Sequence, residues 1–248
     1  MSFYKKEIHR IYDEYGPIQV MEEGKLRYMT FGNDVEQSCQ LTHQPHLLQH
    51  EYTRAILLVL LMHQPSKITV VGLGGGCLIT TLLHLLPKAT IEAIELRKSV
   101  AEVAHDYFQM PKTDRLTVHI EDGFQFLSNT KQQKSDLIIA DMYTADGIDH
   151  QQLSINFLKT SQQKLNQGGW LVLNYWLKHK LEEHLVQALL DHFNHVYLCN
   201  AGGGNWVIFA GNEVDVSKPI IDEAKEKSLS KLAGFSLNKY INRLTILN

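Results

Sequence analysis

The chain has 248 residues, a formal net charge of −3, 44% hydrophobic residues and 21% charged residues. These values are close to globular averages, so they exclude a disordered, collagen-like or coiled-coil chain. The length fits one α/β domain with a small appendage, or two very small domains. The net charge also argues against a nucleic-acid partner, because such proteins usually carry a broad basic field.

Cysteine spacing and hydropathy indicate where such a chain would reside. Cys39, Cys77 and Cys199 lie far apart and form no CxxC pair. We therefore expect no disulfide framework, no metal site and a reducing cytoplasmic location. Residues 1–15 are charged and lack the apolar stretch of a signal peptide. The longest apolar run, residues 55–62, is too short to cross a bilayer, so we expect no membrane partner.

The first part of the chain, residues 1–46, is predicted to form a small β-rich unit. Residues 17–31 contain two short strand patterns around a Glu-Gly turn, which is typical of a hairpin. A further short strand is predicted near residues 35–38. Residues 47–62 then predict a helix with apolar side chains on several faces, which indicates deep burial.

Strand and helix patterns alternate from Lys67 onward, with a final antiparallel strand pair. The seven predicted strands span residues 68–72, 90–96, 116–121, 136–141, 170–175, 195–200 and 206–211. Predicted helices span residues 78–86, 98–108, 153–165 and 180–193. This alternation is typical of a mostly parallel sheet with helices on both faces. We therefore predict a Rossmann-like nucleoside-binding domain over residues 47–212 and a helical tail over residues 213–248.

A GLGGG motif at residues 72–76 directly follows the first of these strands and opens a helix. Glycines at such a turn let the backbone approach a ligand closely. Glu95 ends the second strand, where a carboxylate can accept hydrogen bonds from both ribose hydroxyls of a nucleoside. A glycine turn that serves packing alone is the alternative, but the two features together favour a nucleoside site.

Acids also end the next two strands. Asp122, followed by Gly123, can accept a hydrogen bond from an adenine amino group, and capping of the next helix is its alternative role. Asp141 follows an apolar strand, where a carboxylate is costly unless it faces a polar crevice. Cys77 stands where a dinucleotide fingerprint places glycine or alanine, so the pattern suits S-adenosylmethionine better than NAD. The three acids predict an acidic crevice suited to a cationic sulfonium or amine.

The motifs VVGLGGG, AIEL, EDGFQFL, DLIIADMY and NQGGWLVLNYW occur in an order that resembles the spermidine synthase family, the polyamine aminopropyltransferases. The chain is most similar to a divergent spermidine synthase-like branch with GLGGG in place of GGGDGG. Residues 49–51, Gln-His-Glu, resemble the family's Tyr-His-Glu, and residues 204–206 resemble its late Gly-x-Trp. The resemblance implies the methyltransferase-type Rossmann-like fold, a seven-stranded mostly parallel sheet with a small N-terminal β-hairpin unit.

The resemblance also implies residues that bind the sulfonium ligand. They are Gly72, Gly74, Gly76, Glu95, Asp122 and Gly123. The three glycines of the loop would lie against the aminopropyl or amino-acid part, Glu95 would hold the ribose, and Asp122 with Gly123 would hold the adenine. The implied co-substrate is decarboxylated S-adenosylmethionine, or S-adenosylmethionine itself, and no metal is implied.

A second set of residues is implied for the amine. Asp141 matches the first acid of the family's D-x-x-D-P motif, which deprotonates or positions the attacking amine. Gln49 and His50 match residues near the diamine, and Tyr143 is placed to cover a face of the ligand.

The amine site also departs from the family pattern. Thr144 replaces the second acid of D-x-x-D-P, and alanine replaces the proline. Asp146 is a candidate replacement for that acid, but it also begins an ordinary Asp-Gly turn pair. These departures remove more of the family's expected residues from the amine site than from the nucleoside site.

The favoured function is therefore an aminopropyltransferase of polyamine biosynthesis, with a small-molecule amine as acceptor. The alternatives are an S-adenosylmethionine-dependent methyltransferase and a non-catalytic nucleoside-binding homologue, and the missing second acid favours these two. The presence of Asp141 and of the hairpin region favours the aminopropyltransferase. We also expect a homodimer, because hairpin edges invite pairing and the resembled family commonly pairs through that region.

Overall fold

The computed structural model describes residues 5–144, 147–176, 182–212 and 222–247. The N-terminal part forms a four-stranded antiparallel sheet in chain order. Its strands are β1 (Lys6–Asp13), β2 (Gly16–Glu23), β3 (Leu26–Thr30) and β4 (Glu36–Leu41). The last three correspond to the predicted strands. Strand β1 was not predicted, because it is an edge strand rich in charged side chains. The expected homodimer through this sheet stays a prediction.

A large sheet of eight strands forms the body of the molecule, in the order β14-β12-β13-β11-β8-β5-β6-β7. These strands are β5 (Lys67–Val71), β6 (Thr90–Glu95), β7 (Leu116–Ile120), β8 (Ser135–Ala140), β11 (Leu165–Trp176), β12 (His195–Gly202), β13 (Asn205–Gly211) and β14 (Leu244–Ile246). Strands β5, β6, β7, β8 and β11 are parallel, and the other three are antiparallel. A separate two-stranded pair joins β9 (Tyr143–Thr144) to β10 (Gly147–Ile148).

The helices flank this sheet on both faces. They are α1 (Glu51–Ile56), α2 (Val59–Met62), α3 (Cys77–Leu85), α4 (Lys98–Tyr107), α5 (Gly123–Ser128), α6 (Ile155–Lys164), α7 (Glu183–His192), α8 (Glu223–Ala233) and α9 (Asn238–Ile241). A short 3-10 helix, His150–Leu153, precedes α6. The predicted helix over residues 47–62 is in fact two short helices, interrupted at the buried residues Leu57 and Leu58.

Two apolar cores lie on opposite faces of the large sheet. One includes Ile68 and Val70 of β5 and packs against the helices that follow the N-terminal sheet. The other includes Val71 and Ile94 and packs against the helices on the other face. Because β5 contributes to both cores, its continuous apolar run is explained by burial on two faces.

The predicted seven strands are all present, and the eighth strand comes from the tail that we predicted to be helical. Helices α8 and α9 do form there, but β14 then pairs antiparallel with β12. The tail also contacts α1, since the Tyr240 hydroxyl donates a hydrogen bond to Glu51 at 2.9 Å. No helix in the described ranges is long and apolar enough to span a membrane.

Candidate active site

A cavity of about 720 Å³ lies at the carboxyl ends of β5, β6 and β8, between the large sheet and a wall formed by β4 and α1. This volume is within the range of small-molecule sites, and the position is where open α/β sheets bind ligands. Its lining is acidic. The carboxylates that line it are Asp34, Glu36, Glu51, Glu95, Glu121, Asp122, Asp141 and Asp149. The cavity therefore suits a cationic ligand.

The glycine loop after β5 forms the floor of the cavity. Gly72 has a φ of +93°, and a Cβ built there would lie 2.1 Å from the backbone oxygen of Asp141. Gly74 also lines the cavity, whereas Gly76 is not among the lining residues and packs against Met110. Gly76 caps α3 beneath the loop, and its predicted ligand contact stays a prediction.

Glu95 stands beside this loop at the end of β6 and is only 8% exposed. Its carboxylate accepts hydrogen bonds from the backbone N–H groups of Arg97 at 2.9 Å and Leu73 at 3.1 Å. Burial raises the pKa of Glu95, and these donors partly offset that effect by favouring the charged form. Arg97 is fixed in turn by an ion pair with Asp13 at 2.7 Å. The carboxylate is thereby held in one place at the cavity wall.

Asp122 and Gly123 lie at the neighbouring strand end, and both line the cavity. One oxygen of Asp122 accepts from the backbone N–H of Gln125 at 2.8 Å, so the residue caps α5 as the alternative role required. The other oxygen accepts from the Gln151 side chain at 3.2 Å. The carboxylate thus combines a capping role with a position on the cavity wall.

Asp141 follows β8 on the opposite side of the glycine loop. Its carboxylate accepts from the Asn174 side-chain amide at 2.7 Å and from the Tyr52 hydroxyl at 3.2 Å. Both donors are neutral, and burial raises the pKa of Asp141 above its ordinary value. Attraction to His50 acts in the opposite direction. A partly buried carboxylate held by neutral donors favours a cation in the cavity.

The other described residues predicted for the amine belong to the same cavity as Asp141. Gln49, His50 and Tyr143 all line the cavity. The Gln49 amide donates to the backbone oxygen of Leu47 at 2.6 Å, so its nitrogen is turned toward its own loop. Asp146 lies outside the described residues, so its predicted role stays a prediction.

One acidic residue on β4, Glu36, adds to this environment. His50 lies 3.7 Å from the Glu36 carboxylate, which also pairs with Lys5 at 2.8 Å. The hydrogen bond with His50 and the pairing with Lys5 lower the pKa of Glu36 to about 2, despite the opposing effect of burial. Glu36 is therefore charged at neutral pH and holds His50 at the cavity wall.

Three polar residues of the site were not singled out from the sequence. Tyr52 is adjacent to the Gln-His-Glu tripeptide, and its hydroxyl contacts Asp141. Asn174 and Asn205 lie on β11 and β13, and their side chains form a hydrogen bond of 2.8 Å. Asn174 is 1% exposed and follows the apolar run Leu-Val-Leu. A buried amide at the end of such a run was the signal that could have identified it.

Comparison with known proteins now decides the family. Residues 49–201 match the spermine/spermidine synthase domain. The chain belongs to this family. The polyamine aminopropyltransferase of Vibrio vulnificus is 29% identical over 77% of this chain and 66% of its own length. That of Chromobacterium violaceum is 25% identical over 100% of this chain and 97% of its own length.

Solved structures confirm the predicted fold. A spermidine synthase in complex with the transition-state analogue AdoDATO has a TM-score of 0.76 at 16% identity, over 98% of this chain and 86% of that one. Human methyltransferase-like protein 13 in complex with SAH has a TM-score of 0.57 at 23% identity, over 74% of this chain and 87% of that one. At these identities the likeness establishes the Rossmann-like fold that spermidine synthases and methyltransferases share.

The described residues also bear on metal binding. They contain no group of three or more His, Cys, Asp or Glu side chains arranged to hold a metal ion. The acids of the cavity are instead spread over several elements, and Glu95, Asp122 and Asp141 each contact donors of their own.

Proposed function

We propose that the protein is an aminopropyltransferase that transfers the aminopropyl group of decarboxylated S-adenosylmethionine to a small-molecule amine. The observation that carries this proposal is the placement of Asp141 in the same acidic cavity as Glu95 and Asp122. Membership of the spermine/spermidine synthase family supports the same activity. We call the part of the cavity around Glu95 and Asp122 the nucleoside end, and the part around Asp141 the acceptor end.

At the nucleoside end, Glu95 accepts hydrogen bonds from the ribose hydroxyls and Asp122 accepts one from the adenine amino group. Both carboxylates are already anchored by backbone N–H groups, so they are oriented before the ligand arrives. Gly72 packs directly against the backbone of Asp141, where a Cβ would lie 2.1 Å from the Asp141 oxygen, so the glycine loop and the acceptor end are in contact. The reacting carbon is thereby brought toward the acceptor end.

At the acceptor end, Asp141 attracts the ammonium form of the amine and accepts its proton. The nitrogen lone pair then forms a bond to the methylene carbon beside sulfur, while the carbon–sulfur bond breaks and its electron pair stays on sulfur. The products are the aminopropylated amine, neutral methylthioadenosine and one proton, which leaves through Asp141. Because the sulfonium is already a good electrophile, most of the remaining rate gain comes from orientation.

The acidity of the cavity bears on the choice between aminopropyl and methyl transfer. S-adenosylmethionine carries a carboxylate that its decarboxylated form lacks, and eight acids line this cavity. Repulsion from these acids disfavours the carboxylated ligand. Thr144 in place of a second acid is the feature that favours methyl transfer, and it makes methyl transfer the competing outcome of the test below.

The test incubates the purified chain with decarboxylated S-adenosylmethionine and a panel of mono-, di- and triamines, and measures methylthioadenosine release by chromatography. A parallel series with S-adenosylmethionine measures S-adenosylhomocysteine. Amine-dependent release of methylthioadenosine is the expected result. Release of S-adenosylhomocysteine alone would replace the proposal with methyl transfer, and nucleoside binding without either product would make the protein a non-catalytic homologue.

A further inference from the structure

Three polar side chains form a row across three adjacent strands at the acceptor end. Asp141 follows β8, Asn174 lies on β11 and Asn205 begins β13. The Asn174 amide donates to Asp141 at 2.7 Å, and the Asn205 amide donates to the Asn174 oxygen at 2.8 Å. The row therefore runs from the sheet end beside the Gly202–Gly204 turn to the buried carboxylate.

The charge of Asp141 dictates how these amides are oriented. A carboxylate only accepts hydrogen bonds, so Asn174 has to present its Nδ2 group to it. The Oδ1 atom of Asn174 then points away and requires a donor of its own, because the residue is 1% exposed. Asn205 supplies that donor. Reversal of the Asn174 amide would place an acceptor against the carboxylate and a donor against the Asn205 amino group.

We propose that Asn205 is a positioning residue that, through Asn174, holds Asp141 in its charged, proton-accepting form. This inference rests on the proposed function, in which Asp141 takes the proton of the acceptor amine. Asn205 does not contact Asp141 in this arrangement, and its effect passes through the orientation of a single amide. We call the pair Asn174 and Asn205 the amide relay.

The surrounding structure leaves the amide relay few alternatives. The Asn205 amino group also lies 3.4 Å from the Tyr143 hydroxyl, which fixes its direction from a second side. Gln152, which is fully buried, donates to the backbone oxygen of Asn174 at 2.7 Å and accepts from the backbone N–H of Met142 at 2.8 Å. It thereby ties the residue after Asp141 to β11 and keeps the first donor at a fixed distance.

Two of the titratable groups facing Asp141, His50 and Tyr52, lie outside the relay, and a third, Tyr143, contacts it. His50, just before α1, attracts its negative charge, and Tyr52 on α1 donates directly to it. Tyr143 on β9 lies on the relay side of the site. Since neither His50 nor Tyr52 contacts Asn205, a change at position 205 leaves both of them in place and alters the contacts to Asn174 and Tyr143.

The decisive variant is Asn205→Asp, which keeps the shape of the side chain and removes its donor. A carboxylate at this position demands the Nδ2 group of Asn174, so Asp141 loses the Asn174 donor, keeps only the Tyr52 donor and binds a proton more readily. We expect the acidic limb of the kcat profile to move up by about 1 to 2 pH units. Asn205→Ala, which removes the donor without adding a charge, should move it in the same direction by less.

The matched control is Asn200→Asp. Asn200 lies at the other end of the same glycine turn, where its oxygen accepts from the backbone N–H of Gly202 at 3.1 Å. This exchange introduces the same charge change, and we expect it to leave the acidic limb within about 0.3 pH units of the native value.

A second measurement keeps the inference independent of turnover. The carboxyl carbon of Asp141 is followed by NMR in aspartate-labelled protein, with its resonance assigned by its loss in Asp141→Asn. In Asn205→Ala this resonance should titrate at higher pH than in the native protein. An unchanged titration and an unchanged acidic limb in folded variants overturn the relay. If the native protein transfers no aminopropyl group, the proposed function fails, and the carboxyl titration still decides the relay.

Discussion

At the nucleoside end of the cavity, backbone N–H groups of residues at most 22 positions away hold Glu95 and one oxygen of Asp122, and the Gln151 side chain, 29 positions away, donates to the other oxygen. At the acceptor end, Asp141 is held by the side chains of Tyr52 and Asn174, which are 89 and 33 positions away. The first end is therefore a product of local strand-to-helix turns. The second exists only when α1, β8 and β11 have come together.

This difference has a consequence for how each end tolerates change. Backbone donors survive most substitutions, whereas a side-chain donor is lost with a single replacement. We therefore expect the acceptor end to vary in chemistry while the nucleoside end persists. Thr144 and Gln49, which depart from the resembled family pattern at positions expected for the amine, both line the cavity.

The largest effect is expected from Asp141→Asn, which keeps the shape of the side chain but removes its charge and basicity. Loss of one general base typically lowers the rate by about 10²- to 10⁴-fold. Methylthioadenosine affinity, measured by calorimetry, should stay within a few fold, because the nucleoside end is untouched. The control is Asp106→Asn, an exposed acid on α4 that lies outside the cavity lining. A full rate in a folded Asp141→Asn protein would remove Asp141 from the mechanism.

Glu95→Ala should produce the opposite pattern. We expect methylthioadenosine binding to weaken by about 1.5–3 kcal/mol for each charge-assisted hydrogen bond to the ribose that is lost, as an upper estimate. With saturating nucleoside, kcat should fall much less than in Asp141→Asn. Glu92→Ala on the same strand is the control, since Glu92 pairs with Lys67 at 3.2 Å and does not line the cavity. Equal affinities for the native and Glu95→Ala proteins would contradict the assignment of the nucleoside end.

The same contrast explains how much the sequence predicted. The glycine loop, Glu95 and Asp122 are local features of strand ends, and a strand followed by glycine or acid is visible in the printed chain. Asn174 and Asn205 become neighbours only through the pairing of β11 with β13. The spacing of these two residues along the chain does not predict their contact, so neither was identified as a site residue.

The tail likewise forms a contact between distant segments that the sequence did not predict. Strand β14 has three residues and forms because β12 offers it an open edge. A strand of this length has too little periodicity to be distinguished from the end of a helix. Gly76 is a local feature of the kind that can be read from the chain, because its positive φ of +70° and the lack of space for a Cβ beside Met110 both require glycine.

A smaller effect is expected from Tyr52→Phe, which removes the weaker of the two donors to Asp141. Burial already raises the pKa of Asp141, and loss of a donor to its charged form raises the pKa further. Since the charged form accepts the proton, the rate should fall mainly on the acidic side. The acidic limb should move up by less than in Asn205→Asp, because the Tyr52 bond is 3.2 Å long.

The measurement is the pH dependence of kcat, with methylthioadenosine affinity recorded at each pH. Tyr12→Phe serves as the control, since Tyr12 is 64% exposed on β1 and lies outside the cavity lining. A uniform loss of rate at all pH values would show that Tyr52 acts through packing alone.

The smallest effect is expected from Tyr240→Phe, at the point where the tail contacts α1. Tyr240 is 1% exposed, and its hydroxyl donates to Glu51, the first residue of α1 and the neighbour of both His50 and Tyr52. Tyr240→Phe should cost about 1 kcal/mol of stability, which for a chain of this size lowers Tm by roughly 2–4 °C. Because α1 loses one anchor, KM for the amine should rise, by no more than about threefold. If the whole ~1 kcal/mol were lost from amine binding, the rise would be about fivefold. Methylthioadenosine affinity should not change, because neither Glu95 nor Asp122 contacts the tail. An equal loss of amine and nucleoside affinity would show that the two ends are not independent and that the tail supports the cavity as a whole.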